Sequence, residues 1–237
     1  MQVQMGKVII QEETNKHPIT TIGKMVGICY GSDISDDAKN YQRGMNCIKA
    51  GHGRVMEFAT VIMSIQGYSA RVIRELYTHI GGSPTRVQES TRYIDYTHFN
   101  YITPRTIENN IEACKIYDTI MTDISFAAEQ LRDCGIPKED IANILPLGMT
   151  TSISCQYNLR TLENMANQRF CTRAYLEFRE LMQDMKEALS DYSEEWKTLC
   201  DMLFIPKCEK FGYCVEEYSC GRYPKKDIES VEIDDRK

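Results

Sequence analysis

Between Pro104 and Cys134, the apolar residues Ile107, Ile111, Cys114, Tyr117, Ile120, Met121, Ile124, Ala128 and Leu131 recur at helical intervals, and Gly135 follows. That spacing predicts one long amphipathic helix closed by a glycine, and a helix of this length usually packs against another. The rest of the chain must supply partners for it. Residues 56–66, MEFATVIMSIQ, are rich in strand formers and partly alternate apolar with polar side chains, as a half-buried strand does. Ser69 reads as a helix cap, with Val72, Ile73, Leu76, Tyr77 and Ile80 at helical spacing until Gly81-Gly82-Ser83-Pro84 stops the helix and opens a loop to about Glu89. Pro137 opens a shorter helix, TTSISCQY (150–157) reads as a second strand, and Asn158 caps the next helix. Helical patterns then cover 159–170, 172–189 and 193–203 and leave an irregular, cysteine-bearing tail. The expected class is α+β (mixed α/β), a modest central sheet flanked by long helices, with one domain over 1–203 and a tail over 204–237.

The 237 residues, 42% hydrophobic, suffice for one sizeable core, and no repeat or Pro/Gly/Ser linker divides them. No apolar run approaches the roughly eighteen residues of a membrane span, and the opening MQVQMGKVIIQEE lacks the basic-then-apolar order of a signal peptide, so a cytoplasmic protein is expected. Most of the ten cysteines then read as reduced thiols rather than a disulfide framework. A net charge of −6 argues against wholesale nucleic-acid binding, although local arginines remain enough for a small anionic ligand.

Polar chemistry concentrates in two places. YTHIGGSPTRVQESTRYIDYTHFNY (77–101) combines glycines, hydroxyls, two arginines and aromatics, a composition suited to a nucleotide and also common in solvated loops. NLRTLENMANQRFCTR (158–173) sets Arg160 and Asn164 one turn apart, and likewise Arg169 and Arg173, so each pair can face one ligand. There is no GxGxxG after a strand, no GxxxxGK[ST] and no HExxH, which disfavours Rossmann, P-loop and zinc-hydrolase chemistry.

Taken together, these segments resemble the flavin-dependent (alternative) thymidylate synthase family, whose signature is RHRxxSxNxxSxRY. THIGGSPTRVQESTRY matches it at His79, Ser90, Arg92 and Tyr93, with Thr78 and Ile80 in place of the flanking arginines and a longer loop. His52 and Glu57 in GHGRVMEF, Arg74-Glu75, and ILPLGMTT followed by NLRTLENMANQR resemble further family blocks, in order, over roughly residues 22–180.

The resemblance implies reductive methylation of dUMP to dTMP, with methylenetetrahydrofolate as carbon donor and FAD, reduced by NADPH or NADH, as hydride source. Tetrahydrofolate is released and no cysteine is needed, Cys171 being the nearest thiol to a matched block. It further implies that Glu75, Glu89, Ser90, Thr91 and Arg92 hold dUMP, that Arg169 contacts the pyrimidine and is the catalytic residue, and that His52, Glu57, His79, Asn158, Arg160, Asn164 and Arg173 surround FAD. A homotetramer with shared sites is implied too. Ser152 stands where the family usually has a phosphate-binding arginine and Arg173 where it has histidine; Arg86, in the enlarged loop, is expected to supply the missing cation. Two other readings are a catalytically inactive nucleotide- or flavin-binding homologue and a uracil methyltransferase acting on RNA, the latter wanting a basic surface. In the tail, Cys200, Cys208, Cys214 and Cys220 form a candidate zinc set, although they lack a CxxC knuckle.

Overall fold

The computed structural model describes residues 6–226. The sheet is four-stranded and antiparallel, in the order β1 (Lys7–Ile10), β2 (Thr60–Ser69), β4 (Thr150–Asn158), β3 (Thr85–Gln88). On one face Val61, Met63 and Ile65 of β2 and Ile153, Cys155 and Tyr157 of β4 are buried. Helices α7 (Leu159–Arg169), α8 (Leu176–Tyr192) and α9 (Glu194–Leu203) share their core, as does the hairpin of α1 (Pro18–Cys29) and α2 (Asp37–Lys49). The register of β2 shifts between Ile65 and Tyr68, where Gly67 takes φ +74°, a conformation glycine adopts without steric cost.

Buried polar groups tie these layers together. Glu195 on α9 accepts from the Ile19 and Thr20 backbone N–H groups (2.7 and 3.0 Å) and from the Thr20 hydroxyl (2.6 Å), so a carboxylate closes the N-terminus of α1. Glu177 on α8 likewise accepts from the Ser69 N–H and hydroxyl, both at 2.7 Å, while Ser69 caps α3 (Ala70–Leu76) through Val72 N. Among the described residues no helix is long and apolar enough to cross a membrane.

Several boundaries differ from expectation. The long helix is broken into α4 (Arg105–Glu108) and α5 (Ile111–Asp133), because the Asn110 side chain accepts from Glu112 N and Ala113 N and so starts a new helix. The first expected strand begins at Thr60, with residues 53–58 forming a short 3₁₀ turn. Helix α3 stops at Leu76: the Thr78 hydroxyl takes the Glu75 carbonyl at 2.7 Å, and Tyr77 and Ile80 lie outside the buried stripe. The loop expected over 81–89 contains β3, paired to β4. The last helices shift by a few residues, and the tail carries α10 (Lys207–Phe211), following the short α6 (Lys138–Ile141) earlier in the chain. Residues 227–237 of the expected tail lie outside the described residues.

Candidate active site

The end of α7 meets the end of α3. Arg169, the last residue of α7, donates from Nε to His79 Nε2 at 3.0 Å and pairs through Nη1 with Glu75 Oε2 at 3.1 Å. Its guanidinium rests on the Phe178 ring, 4.6 Å from the centroid, and the same ring meets His79 edge-on at 5.8 Å. The start of α7 fixes the turn carrying His79. Asn158 caps the helix through Thr161 N (2.9 Å), and the Thr161 hydroxyl donates to the Gly81 carbonyl. Gly82 sits at φ +70°, and a Cβ there would fall 2.0 Å from Asn158 Nδ2, so both conformation and space require glycine.

Burial first, then the charges of Arg169 and Arg86, push the His79 pKa down to about 4. Arg86 lies on β3 opposite Cys155, donates to the Leu76 carbonyl at 3.3 Å and stacks on Tyr77 at 4.5 Å. Directly paired residues share a face of the sheet and alternate residues change face. Arg86 is therefore on the Cys155 face and Ser152 on the other, so the expectation that Arg86 replaces the cation missing at Ser152 is not met. Arg86 joins the His79 cluster instead.

The expected dUMP loop makes no hydrogen bond or ion pair with Arg169. Glu89 is bound to the sheet: its N–H donates to the Ser152 carbonyl (2.9 Å), and its carboxylate accepts from Ser152 N (2.9 Å) and the Tyr96 hydroxyl (3.3 Å). Ser90 Oγ accepts from Arg92 N at 3.2 Å, half-buried Thr91 lies between them, and the exposed Arg92 side chain pairs with Glu139 at 2.9 Å.

A second group forms at the other end of α7. Glu57 accepts from Arg160 (2.8 Å) and Arg54 (3.1 Å), and Asn164 is exposed one turn beyond Arg160, as the spacing predicts. His52, also exposed, begins the 3₁₀ turn beneath. From residue 160 to residue 169 the axial rise is about 13 Å at 1.5 Å per residue. Arg173 leaves both groups: α7 ends at Arg169, so the expected turn-apart pair does not form, and Arg173 pairs with Glu216 in the tail at 3.5 Å. The four tail thiols do not form a metal set either. Cys200 is fully buried in the main core, and among the described residues no group of three or more His, Cys, Asp or Glu side chains is placed to hold a metal ion. Phe178, the platform under Arg169 and His79, escaped sequence reasoning because a buried phenylalanine on a helical stripe carries no polar signal.

The fold is shared with crystal structures of thymidylate synthase X from Helicobacter pylori with FAD and dUMP. One aligns with a TM-score of 0.64 at 17% identity, covering 84% of this chain and 99% of that one. In sequence, the chain is 29% identical over 190 residues to a flavin-dependent thymidylate synthase of Nitratidesulfovibrio vulgaris (75% of this chain, 74% of the relative). It is 32% identical over 171 residues to that of Pyrococcus abyssi (70% and 69%) and 28% identical over 246 aligned positions to that of Clostridium tetani (92% and 94%). The family model described as "thymidylate synthase complementing protein" matches residues 10–193, a span that takes in both residue groups at the ends of α7. By that match and those relatives, the chain belongs to the thymidylate synthase complementing protein family.

Proposed function

We propose that the protein is a flavin-dependent thymidylate synthase, forming dTMP from dUMP with methylenetetrahydrofolate, FAD and NADPH or NADH. The observation that carries this reading is the assembly of Arg169, His79 and Glu75 at one point from α7, the α3 turn and α3. The residues at the start of α7 fit a flavin dinucleotide. Arg160 and Asn164 share an exposed face, and a Cβ at Gly53 would come within 3.3 Å of Arg160 Nε, so glycine keeps that approach open. FAD, when bound, supplies the hydride that reduces the transferred carbon. His52, Glu57, Asn158, Arg160 and Asn164 hold and orient it, and His79 borders it.

The chain's own contribution is orientation and charge. Arg169, braced by Glu75 and His79, directs guanidinium donors at the pyrimidine and stabilises negative charge as it develops there, a contribution on the order of 3 kcal/mol. Glu75 orients both Arg169 and dUMP, while Arg86 adds positive charge behind His79. Ser90, Thr91 and Arg92, exposed or half-buried and without a hydrogen bond to Arg169, hold dUMP across a subunit boundary in a homotetramer with shared sites. We place the protein in the cytoplasm, in keeping with free thiols among its described cysteines. We also take residues 1–203 as the catalytic unit and the remainder as an appended tail.

The test is dTMP formation from dUMP, methylenetetrahydrofolate and NADPH by the yellow protein. Arg169→Ala should retain FAD and lose at least about a hundredfold in kcat. Cys171→Ser should turn over near normally, with tetrahydrofolate as product. A protein that takes up no FAD, or stoichiometric dihydrofolate, would overturn the reading.

A further inference from the structure

The tail folds back over the end of α7. Lys210 on α10 pairs with the buried Glu163 at 2.6 Å, Arg173 pairs with Glu216 at 3.5 Å, and Arg222 donates to the Phe170 carbonyl at 3.4 Å. Between these ties lies a cavity of about 240 Å³, walled by the turn after α7 and by residues 206–222. Its tail wall lies beyond the family-matched span 10–193 and does not include Arg169, His79 or Glu75.

The chemistry of the wall is specific. Arg173, Lys207 and Arg222 line it with a single carboxylate, Glu216, so the cavity favours an anion. Asn167, 7% exposed and also in the wall, donates through Nδ2 to the Glu163 carbonyl, but its side-chain oxygen has no hydrogen-bond partner. Four thiols reach the same cavity, and of these Cys214 is buried, Cys171 and Cys208 are half-buried, and Cys220 is exposed. The Thr172 hydroxyl, the Arg222 backbone N–H and then the Arg222 guanidinium favour the thiolate of Cys220 and hold its thiol below the usual range.

We propose that Cys220 is a modification site at which an anionic low-molecular-weight disulfide forms a mixed disulfide, seated in this cavity. In the step, the Cys220 thiolate bonds to one sulfur of the disulfide and the existing S–S bond breaks. The departing half leaves as a thiolate and takes up the proton that Cys220 released. The protein sulfur is oxidised and the departing sulfur reduced, so the disulfide itself is the oxidant. Cations around the cavity select the anionic reagent.

Cys29 and Cys134 are exposed thiols elsewhere in the chain and serve as internal references. The FAD-loaded full chain is treated at neutral pH with oxidised glutathione or with the cationic disulfide cystamine, and adducts are located by peptide mass spectrometry. With oxidised glutathione, Cys220 should be modified at least about tenfold faster than Cys29 or Cys134, because thiolate fraction and local charge both favour it. Cystamine should show a much smaller preference, because the thiolate fraction still favours Cys220 while the surrounding cations oppose a cationic reagent. Arg222→Ala should remove most of the advantage and Arg222→Lys should keep it, with circular dichroism reporting that both variants remain folded. Equal rates at the three thiols, or an equal preference of Cys220 for cystamine, would overturn the proposal, as would an Arg222→Ala variant that is folded and modified at the original rate.

Discussion

Because the Arg169 N–H is directed at His79 Nε2, the imidazole presents a lone pair there and carries its own proton on Nδ1. Burial disfavours the protonated ring, and protonation would also set a cation beside Arg169 and Arg86, so the pKa falls from 6.5 to about 4. As pH drops through 6.5 the unfolded chain therefore binds the proton before the folded one does. The associated stability is whole above pH 6.5 and is lost progressively toward pH 4. Between pH 7.5 and pH 5 this amounts to about 1–2 kcal/mol after discounting for solvent screening. Urea unfolding of the wild type and His79→Gln at the two pH values checks it: the difference between the proteins should narrow by that amount at pH 5, and a constant difference would contradict the assignment. At this scale the sequence was informative where polar residues follow helical spacing, as Arg160 and Asn164 do. It was silent where a contact joins distant segments, as Arg169 to His79 does, and it misled at Arg86, since the face of a strand depends on a register that no local pattern reveals.

Elements were legible in proportion to their amphipathicity and capping. β4, α7 and α9 emerged nearly whole because Asn158 and Ser193 mark their boundaries and one face of each is polar. β1, α1 and α2 did not. In α1, Pro18, Ile19, Thr20, Ile22, Gly23, Val26 and Gly27 are all buried, so no polar stripe gives away the period, and its glycines look like breakers. Their purpose is contact: a Cβ on Gly23 would lie 1.7 Å from the Asn40 carbonyl oxygen, and one on Gly44 would lie 2.1 Å from that of Ile19. The helices cross backbone to backbone, where no side chain can yield. Alanine improves helix propensity by about 1 kcal/mol, but overlap with a main-chain oxygen outweighs it. Gly44→Ala should therefore lose about 3 kcal/mol or more, read as a lower midpoint in thermal unfolding, and a variant as stable as wild type would show that the two helices do not pack this closely.

Across the whole molecule, α5 is the element whose sequence and surroundings agree least within one chain. Of its apolar residues only Met121 and Ala128 are buried, whereas Ile111, Ile116, Ile120 and Phe126 are 78%, 56%, 50% and 59% exposed. At 100° per residue, Ile116, Ile120 and Phe126 fall within about a third of the helix circumference, a second apolar face directed away from the chain's own core. Exposed apolar side chains grouped in this way suit an interface, and a further copy of this chain is the partner that the proposed shared active sites would require. Such an arrangement would also allow the Ser90–Arg92 segment, which makes no hydrogen bond to Arg169 in one chain, to meet an Arg169 of another. Light scattering on the purified protein should accordingly give a tetramer. Charging the face with Ile116→Glu and Ile120→Glu together should yield smaller species that keep their helical circular dichroism, because neither residue is buried in the subunit core. Loss of dTMP formation should accompany dissociation if sites are shared, and a fully active monomer would refute that architecture while leaving the Arg169 chemistry to be judged by its own variant.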